Sequence, residues 1–192
     1  MSDMKNKGIA LAIIAMVLVV FAGCSSKKSV TKGAREVELP FSSKEFQTDK
    51  DNFRARNYGK SPDLATAKKI ALQNAKSEIA SSIQTTIKNV TDQYTNQRQV
   101  GNATEFESKF EELSRSVVNQ KLSDIRIIGE KTFQEQDNSY TYWVAIEINK
   151  QSLIEGMNNQ IGKDQKLQLD FDKYKYEEIF NKEMDKFQQG QQ

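Results

Sequence analysis

The 192-residue chain contains no histidine, a single cysteine, two prolines and one tryptophan. The lack of histidine removes the commonest general base and the commonest metal ligand together. One thiol excludes a disulfide framework, a CxxC redox pair and any cysteine-based zinc site within the chain. Neither sign of charge dominates, with 28 basic and 26 acidic side chains. Of these, Lys5, Lys7 and Asp3 lie in the first 23 residues, so the remainder carries about +1. An interspersed, near-neutral surface gives no electrostatic case for binding nucleic acid. No GxSxG elbow is present, and no histidine stands ready to activate any of the many serines and threonines.

What the chain does have is concentrated at its start. Residues 1–23 join a short basic stretch to the apolar core "GIALAIIAMVLVVF" and end in Ala22-Gly23, directly before Cys24. The apolar run is shorter than the ~20 residues of a spanning helix and reads as an export signal. Two small residues before a cysteine resemble the bacterial lipobox, in which Cys24 becomes the lipidated mature terminus. Phe21 stands where that motif prefers leucine, and an uncleaved anchor helix is the alternative reading. Ser25 rather than aspartate follows the cysteine, which resembles outer-membrane sorting. Residues 24–35, "CSSKKSVTKGAR", are polar and aperiodic and read as a flexible tether.

Residues 36–162 are expected to form one α+β domain, with 163–192 as a C-terminal amphipathic helix or tail. "REVELPFSSKEF" alternates apolar residues around Pro40, which suggests an edge strand or an extended lead-in. "NFRARNYGKS" is a second strand candidate. A long helix follows, with Ser61 as the expected N-cap, Pro62 in the first turn and Asp63 complementing the dipole. Ala67, Ala71, Ala75, Ile79, Ile83 and Ile87 recur every four residues. Alanines first and isoleucines later imply close approach to a sheet at one end and a deeper core at the other. Asn102 and Glu105 have capping-box spacing and open a second helix, with Phe106, Phe110, Leu113 and Val117 on one face, ending near Leu122. A hairpin then joins "SDIRIIGEKTF" to "SYTYWVAIEINK" through "QEQDN". Pairing Phe133 with Tyr140 aligns Ile127 with Ile146 and Arg126 with Glu147, and it also aligns Ile128 with Ala145 and Glu130 with Trp143. That register separates an apolar face from a polar one. "QSLIEGMNNQIG" is a short helix. The expected fold is therefore a small antiparallel sheet of three to four strands, with the long alanine-rich helix and a second helix on one face.

"YGKSPDLATAKKIALQNAKSEIASSI" followed by "IRIIGEKTFQEQDNSYTYWVAIEI" resembles the Lpp-twenty lipoprotein family, bacterial proteins similar to a twenty-kilodalton lipoprotein of Helicobacter. The similarity spans residues 52–157, and the lipobox agrees with it. Relatives of that domain occur in outer-membrane lipoproteins and in flagellar outer-membrane ring components. The resemblance implies envelope assembly or architecture rather than catalysis, and it supplies no catalytic residues to carry across.

The remaining residues offer little chemistry. Glu111-Glu112 and Glu177-Glu178 are sequence neighbours on helices, so each pair diverges by about 100°. Asp170 and Asp172 lack the glycine and closing glutamate of a calcium loop. No cofactor or metal is expected. Trp143 is expected to project from the sheet face opposite the main core, near Ile128, where it is either covered by the tail helix or left as an aromatic anchor. With Ile128, Phe180 and Phe187 it forms the set of candidate partner-binding residues. The membrane, through Cys24, and an envelope protein are the expected partners of a binding or scaffold module. Two other classes make different demands. A hydrolase using carboxylates or a Ser-Lys pair needs converging acids in a deep pocket. A ligand or peptide receptor needs a roomy apolar cavity beneath the long helix.

Overall fold

The structure, a computed structural model, describes residues 37–98 and 102–190. Signal, lipobox, Cys24 and tether all lie outside the described residues. No helix among the described residues is long and apolar enough to cross a membrane. Glu38–Gln192 forms one compact unit.

Among the described residues the fold is α+β, with three antiparallel strands and five α-helices. β1 (Asn52–Ser61) is followed by α1 (Leu64–Arg98) and α2 (Ala103–Lys121). β2 (Arg126–Gln134) and β3 (Tyr140–Asn149) form the hairpin, and α3 (Lys150–Ile161), α4 (Gln165–Asp170) and α5 (Lys173–Gln189) complete the chain. The sheet order is β1-β3-β2, so the most apolar strand lies between the other two. Residues 38–46 form no strand. They make a strap that turns at Pro40–Phe41 and again through a short 3-10 turn, Lys44–Phe46, so neither the edge strand nor an extended lead-in over this stretch is formed.

Alternation decides which side of the sheet is the core. Phe53 and Ala55 of β1 and Tyr142, Val144, Ile146 and Ile148 of β3 are buried on one face, under α1. On that face Ala67, Ala71, Ala75, Ile79, Ile83 and Ile87 are all buried, as the four-residue spacing predicts. At 35 residues, α1 is about 52 Å long, whereas a ten-residue strand spans about 33 Å. The helix therefore overhangs the sheet. Its alanine end rests on β1 and β3, and its far end is enclosed by α2 and α5. Aromatic rings fill the overhang. Tyr94 packs against Phe106, Phe171 and Tyr176, and Phe110 stacks on Phe106 at 5.5 Å. The Tyr94 hydroxyl donates to the Asp170 carbonyl and accepts from the Asp172 N–H, both at 2.7 Å, which secures the α4–α5 junction. The space beneath the long helix is thus filled with side chains. The second helix packs on α1, α3 and α4 rather than directly on the sheet.

Two local expectations change. Asp63, not Ser61, caps α1: its Oδ1 accepts from the Thr66 N–H at 2.7 Å, while Ser61 closes β1. Aspartate two residues further on leaves Pro62 before the cap, where its fixed φ costs the helix nothing. By contrast Asn102 caps α2 as expected, accepting from the Glu105 N–H and donating to the Glu105 carboxylate.

The hairpin register is the larger correction. Arg126–Glu147 and Ile127–Ile146 pair as predicted, but a β-bulge then places Gly129, not Ile128, opposite Ala145. Beyond it every partner moves by one, so Lys131 rather than Glu130 faces Trp143. The cause is the strap. The Phe41 ring lies directly over Gly129, and a Cβ at Gly129 would approach Phe41 Cε1 to 2.5 Å. Only the side-chain-free residue fits beneath that ring, and the extra residue Ile128 absorbs the shift. Phe41 itself has φ 59°, an uncommon value for a bulky residue, and it is braced by Phe46 at 4.8 Å.

The turn of the hairpin is held by Asp137, whose carboxylate accepts from the Ser139 hydroxyl and N–H and from Lys60 of β1. These bonds to the ionised form hold its pKa at about 2. Because the folded value is depressed from 3.8, the contribution is fully present above about pH 4 and is lost as pH falls through about 2. A carboxyl carbon NMR titration should place the Asp137 midpoint near 2. A midpoint in the ordinary aspartate range would remove these bonds from the solution structure.

Candidate functional site

With the helices on one side, the other face of the sheet is free to carry function, and its rows follow from the strand register. From the turn end the rows are Lys60–Thr141–Phe133, Tyr58–Trp143–Lys131, Arg56–Ala145–Gly129 and Arg54–Glu147–Arg126. The strap covers the lower rows. There Glu147 is 6% exposed, accepts from Arg54 Nε at 2.9 Å, and is also bonded by Arg126. Asp49 reaches the same Arg54 guanidinium at 2.5 Å. Burial pushes the Asp49 carboxyl up, but hydrogen bonds from the Asp51 N–H, Arg54 and the Asn52 N–H outweigh it and hold its pKa below the usual value. This chain of charges joins all three strands and clamps them together.

The upper rows are open. Trp143 is half-buried and stacks on Tyr58 with centroids 4.9 Å apart and planes 30° from parallel. Neighbouring strands are about 4.8 Å apart, so rings stacked across them stand up from the sheet and present their edges. Tyr58 is 49% exposed and Phe133 45%. Lys131 is exposed, lies across from Trp143, and extends over the Phe41 ring at 5.5 Å. Between strap and β2 lies a cleft of about 610 Å³ lined by Glu38, Leu39, Phe41, Lys131 and Phe133 among others.

The four predicted contact residues therefore separate. Trp143 is on the outer face as expected, but its cover is Tyr58 and not the tail helix. Ile128 is the half-buried bulge residue on β2. Phe180 is 0% exposed and faces Phe53 edge-on, so it belongs to the core and not to a partner surface. Phe187 is half-buried, also against Phe53. The tail helix is amphipathic: Tyr176, Ile179, Phe180 and Met184 lie on its buried side, at helical spacing. The aromatic pair was only half legible beforehand, because Tyr58 lies 85 positions from Trp143 and only the β1–β3 register joins them.

Elsewhere among the described residues several polar groups are engaged in structure, whereas the buried Arg56 Nη1 and Tyr176 hydroxyl have no hydrogen-bond partner. A groove of about 440 Å³ runs between α1 and α2, lined by Thr91, Asp92, Glu107, Ser108 and Glu111 among others. The buried hydroxyls beside it donate to their own helices, Thr91 to the Ile87 carbonyl and Ser114 to the Glu111 carbonyl. Glu111 pairs with Arg115, Glu177 accepts from Asn158, and Glu178 pairs with Lys175 and Lys182. Asp172 caps α5. Among the described residues, no three acidic or cysteine side chains gather as metal ligands. No family model, no curated protein and no solved structure matches the chain.

Proposed function

We propose that the protein is a lipid-anchored bacterial envelope lipoprotein of the Lpp-twenty type, whose α+β domain acts without catalysis as a binding, assembly or scaffold module. The observation that carries the reading is the position of the sole cysteine: Cys24 ends an apolar run at small-small-Cys, and a polar segment follows at once. Attachment through several acyl chains, each buried methylene adding about 0.8 kcal/mol, would hold the domain durably on a bilayer. Ser25 favours the outer membrane, with the domain facing the periplasm. A domain whose outer sheet face keeps an aromatic pair in the open suits a contact role.

The test is made on the full chain in a bacterial host. Cys24 should incorporate labelled palmitate, and inhibition of lipoprotein signal peptidase should accumulate the precursor. Cys24→Ala should abolish the label and shift the protein out of the membrane fraction. A Cys24→Ala protein that fractionates with membranes as the parent does would overturn the anchor.

A further inference from the structure

The upper half of the outer sheet face brings aromatic, apolar and lysine side chains together on one side of the sheet. Two amphipathic rings, Trp143 and Tyr58, stand edge-up from the sheet, each joining an apolar body to a polar tip. Phe133 is exposed one row away, and Leu39 of the strap, also exposed, lines the same cleft as Phe133 and Lys131. Lys60 and Lys131 flank the rings with long stems. Charge is locally balanced, since Lys60 is paired with Asp137, and Glu38 and Glu45 lie along the strap cleft.

This is the chemistry of a membrane interface rather than of an anion site: tryptophan and tyrosine partition to the headgroup level, and lysine stems reach past them to water. The position of the chain points the same way. Glu38 and Leu39, the first residues of the Glu38–Gln192 unit, lie beside Lys131 and Phe133 on this face. Cys24 is 14 positions before Glu38, a span of at most about 50 Å. A bilayer holding Cys24 is therefore within reach of the face on which the strap begins.

We infer that the Tyr58–Trp143–Phe133 face rests on the bilayer to which Cys24 is attached, with the helical layer turned away. The inference depends on the lipid-anchor reading above. Attachment is through ring edges and apolar side chains, so it persists in salt and on zwitterionic lipid.

The chain's one tryptophan is Trp143, which makes it the reporter. Full-length protein is reconstituted into phosphatidylethanolamine–phosphatidylglycerol vesicles, with and without lipids brominated near the headgroup, and floated on a gradient. The expected result is flotation with a blue-shifted Trp143 emission that brominated lipid quenches and that about 0.5 M salt, where the Debye length falls to roughly 4 Å, leaves unchanged. Phe133→Ser with Leu39→Ser should reduce the quenching while the protein still floats. Flotation without quenching overturns this inference and leaves the anchor standing. Failure to float overturns both. Quenching that salt abolishes overturns the aromatic attachment in favour of an electrostatic one.

Discussion

Gly59→Ala is expected to destabilise the protein by about 3 kcal/mol or more, the upper range for overpacking a filled core. Gly59 lies on the core face of β1 under the first turns of α1. A Cβ there would stand 2.3 Å from the Ala67 carbonyl oxygen, 2.6 Å from the Ala71 nitrogen and 2.7 Å from Ile70 Cβ. Two of those neighbours are helix backbone, which cannot rotate aside as a side chain can. The helix would have to lift from the strand, and Ala67 and Ala71 would lose their contacts with the sheet. No trimming of side chains on α1 should restore stability, because the collision is with main-chain atoms. Gly156→Ala is the contrasting case. Its nearest neighbour is the Val117 Cγ1 at 2.8 Å, a side-chain atom rather than backbone, although the buried Val117 must give way to relieve the contact. Alanine also favours a helix interior over glycine by about 1 kcal/mol. Urea denaturation of the two variants checks the argument: Gly59→Ala should lose most of the parent's midpoint and Gly156→Ala a smaller part of it. A Gly59→Ala midpoint equal to the parent's would mean that α1 does not sit this close to β1.

Glu147→Ala is expected to cost about 3 kcal/mol, the lower range for breaking a buried ion pair by removing one partner. Glu147 lies in the middle strand and bonds Arg54 on one neighbour and Arg126 on the other. Its removal leaves the Arg54 guanidinium, whose side chain is only 13% exposed, with Asp49 and the Gln47 carbonyl as its partners. Arg126→Ala should cost far less, since that side chain is largely in water. The double change Arg54→Met with Glu147→Leu should recover much of the loss, because it removes both buried charges and keeps the volume. If Glu147→Ala and Arg126→Ala unfold at the same urea concentration, the clamp contributes nothing beyond a surface pair.

The parts of the fold that one segment decides alone could be read from the residues. The apolar repeat from Ala67 to Ile87 specifies a helix with one buried stripe, because side chains four apart share a face whatever packs against them. The Asn102 cap and the hairpin turn are likewise set by groups within a few positions of each other. The junction at Cys24 is wholly a sequence feature, and it carries the anchor reading without help from the fold.

Tertiary structure alone decided whatever depends on distant residues meeting. The bulge at Ile128 follows from Phe41, about 90 positions earlier, pressing its ring onto Gly129. The pairing of Tyr58 with Trp143 exists because β1 aligns with β3 in one register out of many. In the sequence Phe180 stands among charges that do not say what covers it; Phe53 and the packing of α5 on α1 do. Local spacing sets which side of an element is apolar. Only the packed chain sets which of those sides is left facing outward, and here it is the strap, by covering half of one sheet face, that leaves the Tyr58–Trp143 half open.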